Sequence, residues 1–415
     1  MTANLVQLSY SLWTNPKATS FQKLDPTRIR LPDFAICSFT PFAAHRVESL
    51  NTSADVINFL QWHFFQEISA ELAANDSVAV PSAELVPKVE EFLNRTENWE
   101  EFVMKTGQQC TDILKHCVFQ YTDTFSCCDR MVPFIHEKYG VCFRPRNISE
   151  FAVQGKGPHD GLSILAAIPE PIPIDSSIVT NQIDYGLSLL FAERLAPPFT
   201  AGTFTEIGLP ANMTVKVSLS KTTTIKVQDP ADKCELVDIN CRKSAFGAVT
   251  EKFCNCVLLG FNGSAPVLCN PLAVQRCFDN YFDDILAEFR IVIQTCLPAC
   301  QLVEYDSRIS FVNLLVDRIK DVYKGPIPLK NSKSFVKIYL YYGQMREDVL
   351  REVPLITFEN LFGNIGGIIS LWLGLSIRLV FQQFCKFFRW KTQQTKVASE
   401  ARMVKSFRAV GTCTD

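Results

Sequence analysis

Residues 361–381 read LFGNIGGIISLWLGLSIRLVF, a run of 21 residues in which Arg378 is the one charged side chain. A helix of this length and apolarity can cross the hydrocarbon core of a bilayer. Seven Lys and Arg residues follow it before the C-terminus, against two acidic residues. Because cytoplasmic flanks carry the basic excess, we expect a transmembrane helix over residues 358–384, a basic cytoplasmic tail over 385–415 and an extracellular domain over 1–357.

The composition excludes several classes of protein. The chain has 415 residues, 47% of them hydrophobic, and a formal net charge of −2. This hydrophobicity is too high for a disordered chain, and a nucleic-acid-binding protein would carry a basic excess. The five histidines form no close cluster, and no catalytic or phosphate-binding motif is present. We therefore expect no enzyme activity, no catalytic residue, no cofactor and no nucleic-acid partner.

Cysteine usage indicates an oxidising compartment. Fourteen of the 16 cysteines lie between Cys37 and Cys300, and an even number in one segment is typical of a disulfide framework. Zinc sites are the alternative, but paired C-x-x-C motifs and finger-like histidine spacing are absent, so we expect no metal. Six N-x-S/T glycosylation sequons lie in the same region, which agrees with an extracellular location. The sequons are Asn51, Asn75, Asn94, Asn147, Asn212 and Asn262.

The first residues, MTANLVQLSYSLWTNPKATS (1–20), predict neither a signal peptide nor a membrane helix. They lack a basic segment followed by an apolar one. An extracellular domain needs one of the two to leave the cytosol. We therefore expect that the natural N-terminus, with a first membrane helix, is missing from this sequence.

Small residues recur along one face of the expected membrane helix, at Gly363, Gly367, Ser370 and Gly374. This spacing allows another helix to approach closely, so one interpretation is the dimer contact of a single-pass receptor. The density of glycine supports a second interpretation. A glycine-rich helix can unwind where its backbone carbonyls line a water-filled path, and residues 374–376 near mid-membrane suit that role.

Several motifs together resemble one known family. Residues 363–376, GNIGGIISLWLGLS, resemble the G-D-I-G-G-x-x-G-L-x-x-G-x-S pattern in the second membrane helix of the degenerin/epithelial sodium channel/acid-sensing ion channel superfamily. Residues 31–38 resemble the segment after that family's first membrane helix, and residues 139–143, YGVCF, resemble its Y-G-x-C-Y/F motif. The pairs Cys254/Cys256 and Cys296/Cys300 resemble the cysteine motifs of the family's thumb.

The resemblance implies an α+β fold and a channel function. It implies a disulfide-rich extracellular domain, with a β-sheet palm, a β-ball, a helical finger over about residues 41–135 and a thumb over about 234–300, followed by one transmembrane helix. Residues 28–40 would form the first palm strand, and residues 203–228 also predict strands. The implied protein is an amiloride-sensitive, trimeric, voltage-independent and sodium-selective channel of the plasma membrane.

The resemblance also implies the disulfide pairing, which spacing alone cannot give. Cys127 and Cys128 are adjacent, so their partners could be exchanged. The implied pairs are Cys37–Cys142, Cys110–Cys128, Cys117–Cys127, Cys234–Cys300, Cys241–Cys296, Cys254–Cys277 and Cys256–Cys269.

The implied pore departs from the family pattern at several positions. Asn364 replaces an acidic residue, which removes one ring of carboxylates from the pore mouth. Arg378 lies two residues beyond the filter, where it either opposes cation flow or extends to the inner headgroups. Gln382 replaces a glutamate, and Asn360 aligns with a position where a bulky residue favours an open pore. The implied pore mouth comprises Asn360, Gly363, Asn364, Gly366 and Gly367, and the implied selectivity filter comprises Gly374, Leu375 and Ser376.

One helix carries candidate gating carboxylates. Residues 277–289 predict an amphipathic helix whose apolar face includes Phe278, Phe282 and Ile285. Asp279 and Asp283 are one helical turn apart, and close carboxylates can act as a proton sensor. The acidic pair that would face them is Glu193-Arg194 here, and its arginine would keep its neighbours ionised. A solvated helix face is the alternative interpretation.

Two functions compete at this point. The first is a channel subunit that forms a homo- or heterotrimer with related subunits and interacts with sodium ions and membrane lipid. The second is a non-conducting or accessory single-pass glycoprotein that modulates related subunits. The missing first helix, Arg378 and Asn364 favour the second.

Overall fold

A computed structural model describes residues 17–50, 52–65, 84–96, 98–172, 185–193, 204–227, 233–234, 241–261, 265, 267–322, 333–354, 363, 365–367 and 381–387. The chain divides into two compact units. One unit is Phe21–Arg351, and the other combines Met1–Ser20 with Glu352–Asp415.

The described residues form helices and strands in mixed order. The helices are α1 (Ala44–Glu48), α2 (Ala54–Phe65), α3 (Leu85–Asn94), α4 (Trp99–Thr106), α5 (Cys110–Ile113), α6 (Cys127–Arg130), α7 (Cys241–Cys254), α8 (Pro271–Ile293) and α9 (Val316–Val322), with a 3-10 helix at Ile148–Glu150. The strands are β1 (Lys17–Leu24), β2 (Ile29–Arg30), β3 (Asp33–Ser38), β4 (Leu114–Phe119), β5 (Asp123–Phe125), β6 (Met131–His136), β7 (Gly140–Pro145), β8 (Ala152–Val153), β9 (Leu162–Ile168), β10 (Gly186–Ala192), β11 (Thr205–Pro210), β12 (Met213–Ile225), β13 (Gln301–Asn313) and β14 (Ser334–Pro354).

The largest sheet has the order β13-β12-β14-β9-β4-β5, with β1 also paired to β14. We call it the palm sheet. β12 runs parallel to β14 and antiparallel to β13 along its whole length. Val215, Val217 and Leu219 of β12 are buried, and the residues between them are half-buried. This alternation is what a strand with one face on the core requires.

A second sheet has the order β11-β10-β3-β7-β6, and β2 pairs with β8 in a separate two-stranded sheet. Residues 28–40 therefore do not form one palm strand, contrary to the prediction: they form β2 and β3, which lie in different sheets. Pro32 between them has no N–H for a sheet hydrogen bond, and Leu31 N–H donates to the Phe151 carbonyl instead (3.0 Å).

The helices of the predicted finger region pack around aromatic side chains. α2 is buried at every position from Val56 to Gln61. Phe42 contacts both Phe64 and Phe102 edge-to-face, with ring centroids 5.6 and 6.0 Å apart. After residue 113 this part of the chain is mostly strand: β4, β5 and β6 occupy most of residues 114–136, with the short helix α6 between β5 and β6.

α7 and α8 form the helical pair of the predicted thumb. The Asn270 side chain caps α8 by accepting the Ala273 N–H (2.8 Å), and Pro271 occupies the first turn, where its missing N–H costs nothing. Ile285 is fully buried, and Phe278 packs against the cluster around it, as the amphipathic pattern predicts.

Seven disulfides cross-link the described residues. Each pair is the one that the family resemblance implies, including the two pairs that share the adjacent Cys127 and Cys128. They are Cys37–Cys142, Cys110–Cys128, Cys117–Cys127, Cys234–Cys300, Cys241–Cys296, Cys254–Cys277 and Cys256–Cys269.

Candidate functional site

The expected pore segment is described only in part. Residues 363, 365–367 and 381–387 are helical, whereas Asn360, Asn364, Gly374, Leu375, Ser376 and Arg378 lie outside the described residues. A Cβ atom placed on Gly363 or Gly367 would meet no described heavy atom within 4 Å. Among the residues that the structure covers, no helix is both long enough and apolar enough to cross a bilayer.

The candidate gating carboxylates lie on the exposed side of α8. Asp279 and Asp283 are both exposed, and neither forms a salt bridge with a described residue. Partial burial raises the pKa of Asp279 above its ordinary value. Glu193 bonds to Arg30 and Tyr305, and Arg194 lies outside the described residues.

A different ion pair joins α8 to the helices near the N-terminus. Arg276 of α8 approaches Glu90 of α3, with Nη1 3.4 Å from Oε1. Both side chains are about half exposed, so the pair contributes little to stability. It marks the turn of α8 that lies beside α3. The two residues are 186 positions apart, so no local sequence pattern could predict the contact.

Glu193 belongs to a cluster that sequence reasoning missed. The Tyr305 hydroxyl donates to Glu193 Oε2 (2.5 Å), and Arg30 Nη2 lies 3.1 Å from Glu193 Oε1. The Tyr342 hydroxyl donates to the Arg30 carbonyl (2.8 Å). We call Arg30, Glu193, Tyr305 and Tyr342 the tyrosine–carboxylate cluster.

The two tyrosines of this cluster are neutral at physiological pH. Burial raises the pKa of the Tyr305 hydroxyl far above its ordinary value, and Tyr342 and Glu193 raise it further. Burial also raises the pKa of Tyr342, followed by the charges of Glu193 and Glu347. Both hydroxyls therefore remain hydrogen-bond donors across the whole physiological range.

The tyrosine–carboxylate cluster connects all three sheets. Arg30 lies on β2, Glu193 follows β10 directly, and Tyr305 and Tyr342 lie on β13 and β14 of the palm sheet. β13 begins directly after Cys300, at the end of the predicted thumb, and β14 leads in sequence towards residues 358–384. The cluster thus joins β2 and the end of β10 to two palm strands, of which β13 follows the predicted thumb in sequence and β14 precedes the expected pore segment.

β14 carries an irregularity just beyond this cluster. Leu219 of β12 pairs with Tyr342, whereas Lys221 pairs with Glu347, so β14 has extra residues at this point. Glu347 accepts a hydrogen bond from the Thr223 hydroxyl (2.5 Å) and forms a salt bridge with Lys221 (3.1 Å). These contacts hold β14 to β12 on the far side of the irregularity.

Three of the six glycosylation sequons lie in described residues. Asn94, Asn147 and Asn212 are all exposed, as attachment of a glycan requires. The side-chain oxygen of Asn147 accepts the Ser149 N–H, and that of Asn212 accepts the Phe335 N–H. The side-chain nitrogen, to which a glycan attaches, takes no part in these two bonds. The remaining three, Asn51, Asn75 and Asn262, lie outside the described residues.

Comparison with known proteins identifies the class of protein. The family model described as amiloride-sensitive sodium channel matches residues 1–382, and the chain therefore belongs to that family. Its members are ion channels, not enzymes. The match includes the seven-disulfide α/β domain and residues 363–376.

The individual relatives have low sequence identity to this chain but match most of its length. The chain is 22% identical to the bile acid-sensitive ion channel of Mus musculus over 92% of this chain and 78% of the relative. It is 22% identical to acid-sensing ion channel 1A of Danio rerio, over 71% of this chain and 61% of that protein. It is 20% identical to acid-sensing ion channel 1 of Gallus gallus, over 89% and 72% respectively.

Proposed function

We propose that this chain is a subunit of a trimeric, voltage-independent, sodium-selective cation channel of the plasma membrane. The observation that carries the proposal is the family match over residues 1–382, because this single match covers both the disulfide-rich domain and the glycine-rich segment. In this proposal residues 1–357 are extracellular, residues 358–384 line the pore and residues 385–415 are cytoplasmic. The relatives do not favour the alternative of a non-conducting accessory glycoprotein.

The pore would select ions at residues 374–376. Backbone carbonyls of Gly374 and Leu375 and the hydroxyl of Ser376 would replace part of the hydration shell of the ion, once from each of three subunits. Gly363 and Gly367 would allow close helix packing around the pore, because glycine has no side chain to hold the helices apart. Asn364 would supply amide dipoles at the mouth instead of a ring of carboxylates.

The tyrosine–carboxylate cluster would transmit movement of the thumb to the pore helix. Tyr305 follows the last thumb cysteine by five residues, and Tyr342 lies on the strand that leads to the pore segment. Glu193 and Arg30 hold these two strands to the other sheets through bonds of 2.5 to 3.1 Å. A shift of β13 therefore cannot occur without breaking or moving bonds at β14 and β2.

Substitution in the expected filter tests the proposal. Ser376→Ala removes the hydroxyl oxygen, so the reversal potential measured with sodium outside and potassium inside should move towards lower sodium selectivity. Ser370→Ala, within the same segment, is the matched control and should leave the reversal potential unchanged. An unchanged reversal potential in Ser376→Ala channels, with normal surface expression, would rule out this filter.

A further inference from the structure

One face of the palm sheet carries basic side chains that the proposed function does not use. Strand pairing places the face residues in two neighbouring rows that cross five strands. The first row is His116, Leu165, Lys337, Thr214 and Val312, and the second is Val118, Ser163, Tyr339, Lys216 and Ser310. Neither row contains an acidic residue.

Lys216 and Lys337 are diagonal neighbours in these rows. Lys216 pairs with Tyr339, and Lys337 pairs with Thr214, so the two lysines are offset by one strand and two residues. Strand spacing and rise put their Cα atoms about 8 Å apart. Two lysine side chains at this separation can reach the same small anion.

Both lysines are half-buried, and neither forms a salt bridge with a described residue. The Lys337 ammonium lies 5.1 Å from the centre of the Tyr339 ring, which partly compensates its charge. The two ammonium groups repel each other, and no described carboxylate balances them. Binding of an anion between them would relieve this repulsion.

His116 reports the positive potential of this face. Burial lowers the pKa of His116 below its ordinary value, and the charge of Lys337 lowers it further. The positive charge of Lys337 therefore acts on the histidine. An anion placed between the lysines would oppose this effect.

We propose that Lys216, Lys337 and Tyr339 form a binding site for a soluble small molecule that carries a phosphate, sulfate or carboxylate group. The two ammonium groups donate to the oxyanion, and the Tyr339 ring offers a surface on which a flat or apolar part of the molecule can pack. In the proposed topology Lys337 belongs to the extracellular domain, so the ligand proposed is a soluble molecule and not a lipid headgroup.

The test measures binding of a fluorescent aromatic trisulfonate, 8-hydroxypyrene-1,3,6-trisulfonate, to the purified full chain in a neutral detergent. Fluorescence anisotropy should show saturable binding that excess inorganic phosphate displaces. Lys216→Gln and Lys337→Gln should each weaken binding at least tenfold. Lys105→Gln is the matched control: it changes the net charge equally, but Lys105 lies on α4 and pairs with Glu101 (2.6 Å).

The outcomes separate a site from general electrostatic attraction. Equal weakening by all three lysine substitutions, or binding that phosphate does not displace, would overturn the proposal. So would the absence of saturable binding. Lys337→Arg keeps the charge and should retain binding, so this variant keeps the test decisive if Lys337→Gln fails to fold. The binding measurement does not depend on whether the chain conducts sodium.

Discussion

Removal of one hydroxyl group tests whether the tyrosine–carboxylate cluster holds the sheets together. Tyr305 is 8% exposed, and its hydroxyl donates to Glu193 Oε2 at 2.5 Å. Tyr305→Phe deletes this bond and preserves the ring and its packing. A hydrogen bond to a charged group contributes about 1.5–3 kcal/mol to stability. Because Arg30 still pairs with Glu193, whose side chain is 30% exposed to water, we expect a loss at the low end, about 1.5 kcal/mol.

Thermal unfolding of the purified full chain gives the readout. A loss of that size should lower the midpoint of the transition that includes the palm sheet by about 3 °C. Glu193→Gln and the double variant complete a mutant cycle, and the two changes should be less than additive because they remove the same bond. Tyr121→Phe is the matched control, because Tyr121 is 75% exposed and should change the midpoint little.

Two results would contradict this prediction. One is that Tyr305→Phe unfolds at the same temperature as the Tyr121→Phe control, and the other is that the Tyr305 and Glu193 substitutions are fully additive. Either result would mean that the hydroxyl and the carboxylate do not stabilise the folded chain together.

Three further predictions concern the thumb, the disulfides and the pore. Asp279→Asn should raise the unfolding midpoint at pH 7, because burial raises the pKa of Asp279 and so disfavours its charged form. The gain should disappear as the pH falls and Asp279 becomes protonated, and a gain that persists in acid would contradict the prediction. Asp283→Asn is the control for loss of a charge on α8. Replacement of Cys37 and Cys142 by serine removes a disulfide between residues separated by 105 positions, so the free energy of unfolding measured with denaturant should fall by about 4 kcal/mol. A fall of less than about 1 kcal/mol would contradict the prediction. Asn364→Asp should raise single-channel sodium conductance by restoring a ring of carboxylates, and unchanged conductance would place residue 364 away from the ion path.

Much of the local structure could be predicted from the sequence, because it depends on spacing along the chain. The apolar positions of α8 recur at helical spacing, and Ile285 is fully buried as that pattern requires. β12 alternates between buried and half-buried residues, which is a pattern of period two. The disulfide pairs follow from the family resemblance and agree with the structure.

The contacts that define the candidate site could not be predicted in this way. Tyr305 and Glu193 are 112 residues apart, and Arg30 and Glu193 are 163 apart. Their approach depends on the order of strands across three sheets, which no local pattern encodes. The basic face of the palm sheet likewise depends on strand register, because a shift of one residue would turn Lys216 and Lys337 towards the core.

The most direct test of the proposed channel function is whole-cell voltage clamp of cells that express this chain, alone and together with a related channel subunit. Protein at the cell surface is quantified in the same cells. We expect an inward sodium current that amiloride blocks and that does not depend on voltage for opening. Abundant surface protein without such a current in either combination would contradict the proposal that this chain forms part of a sodium pore.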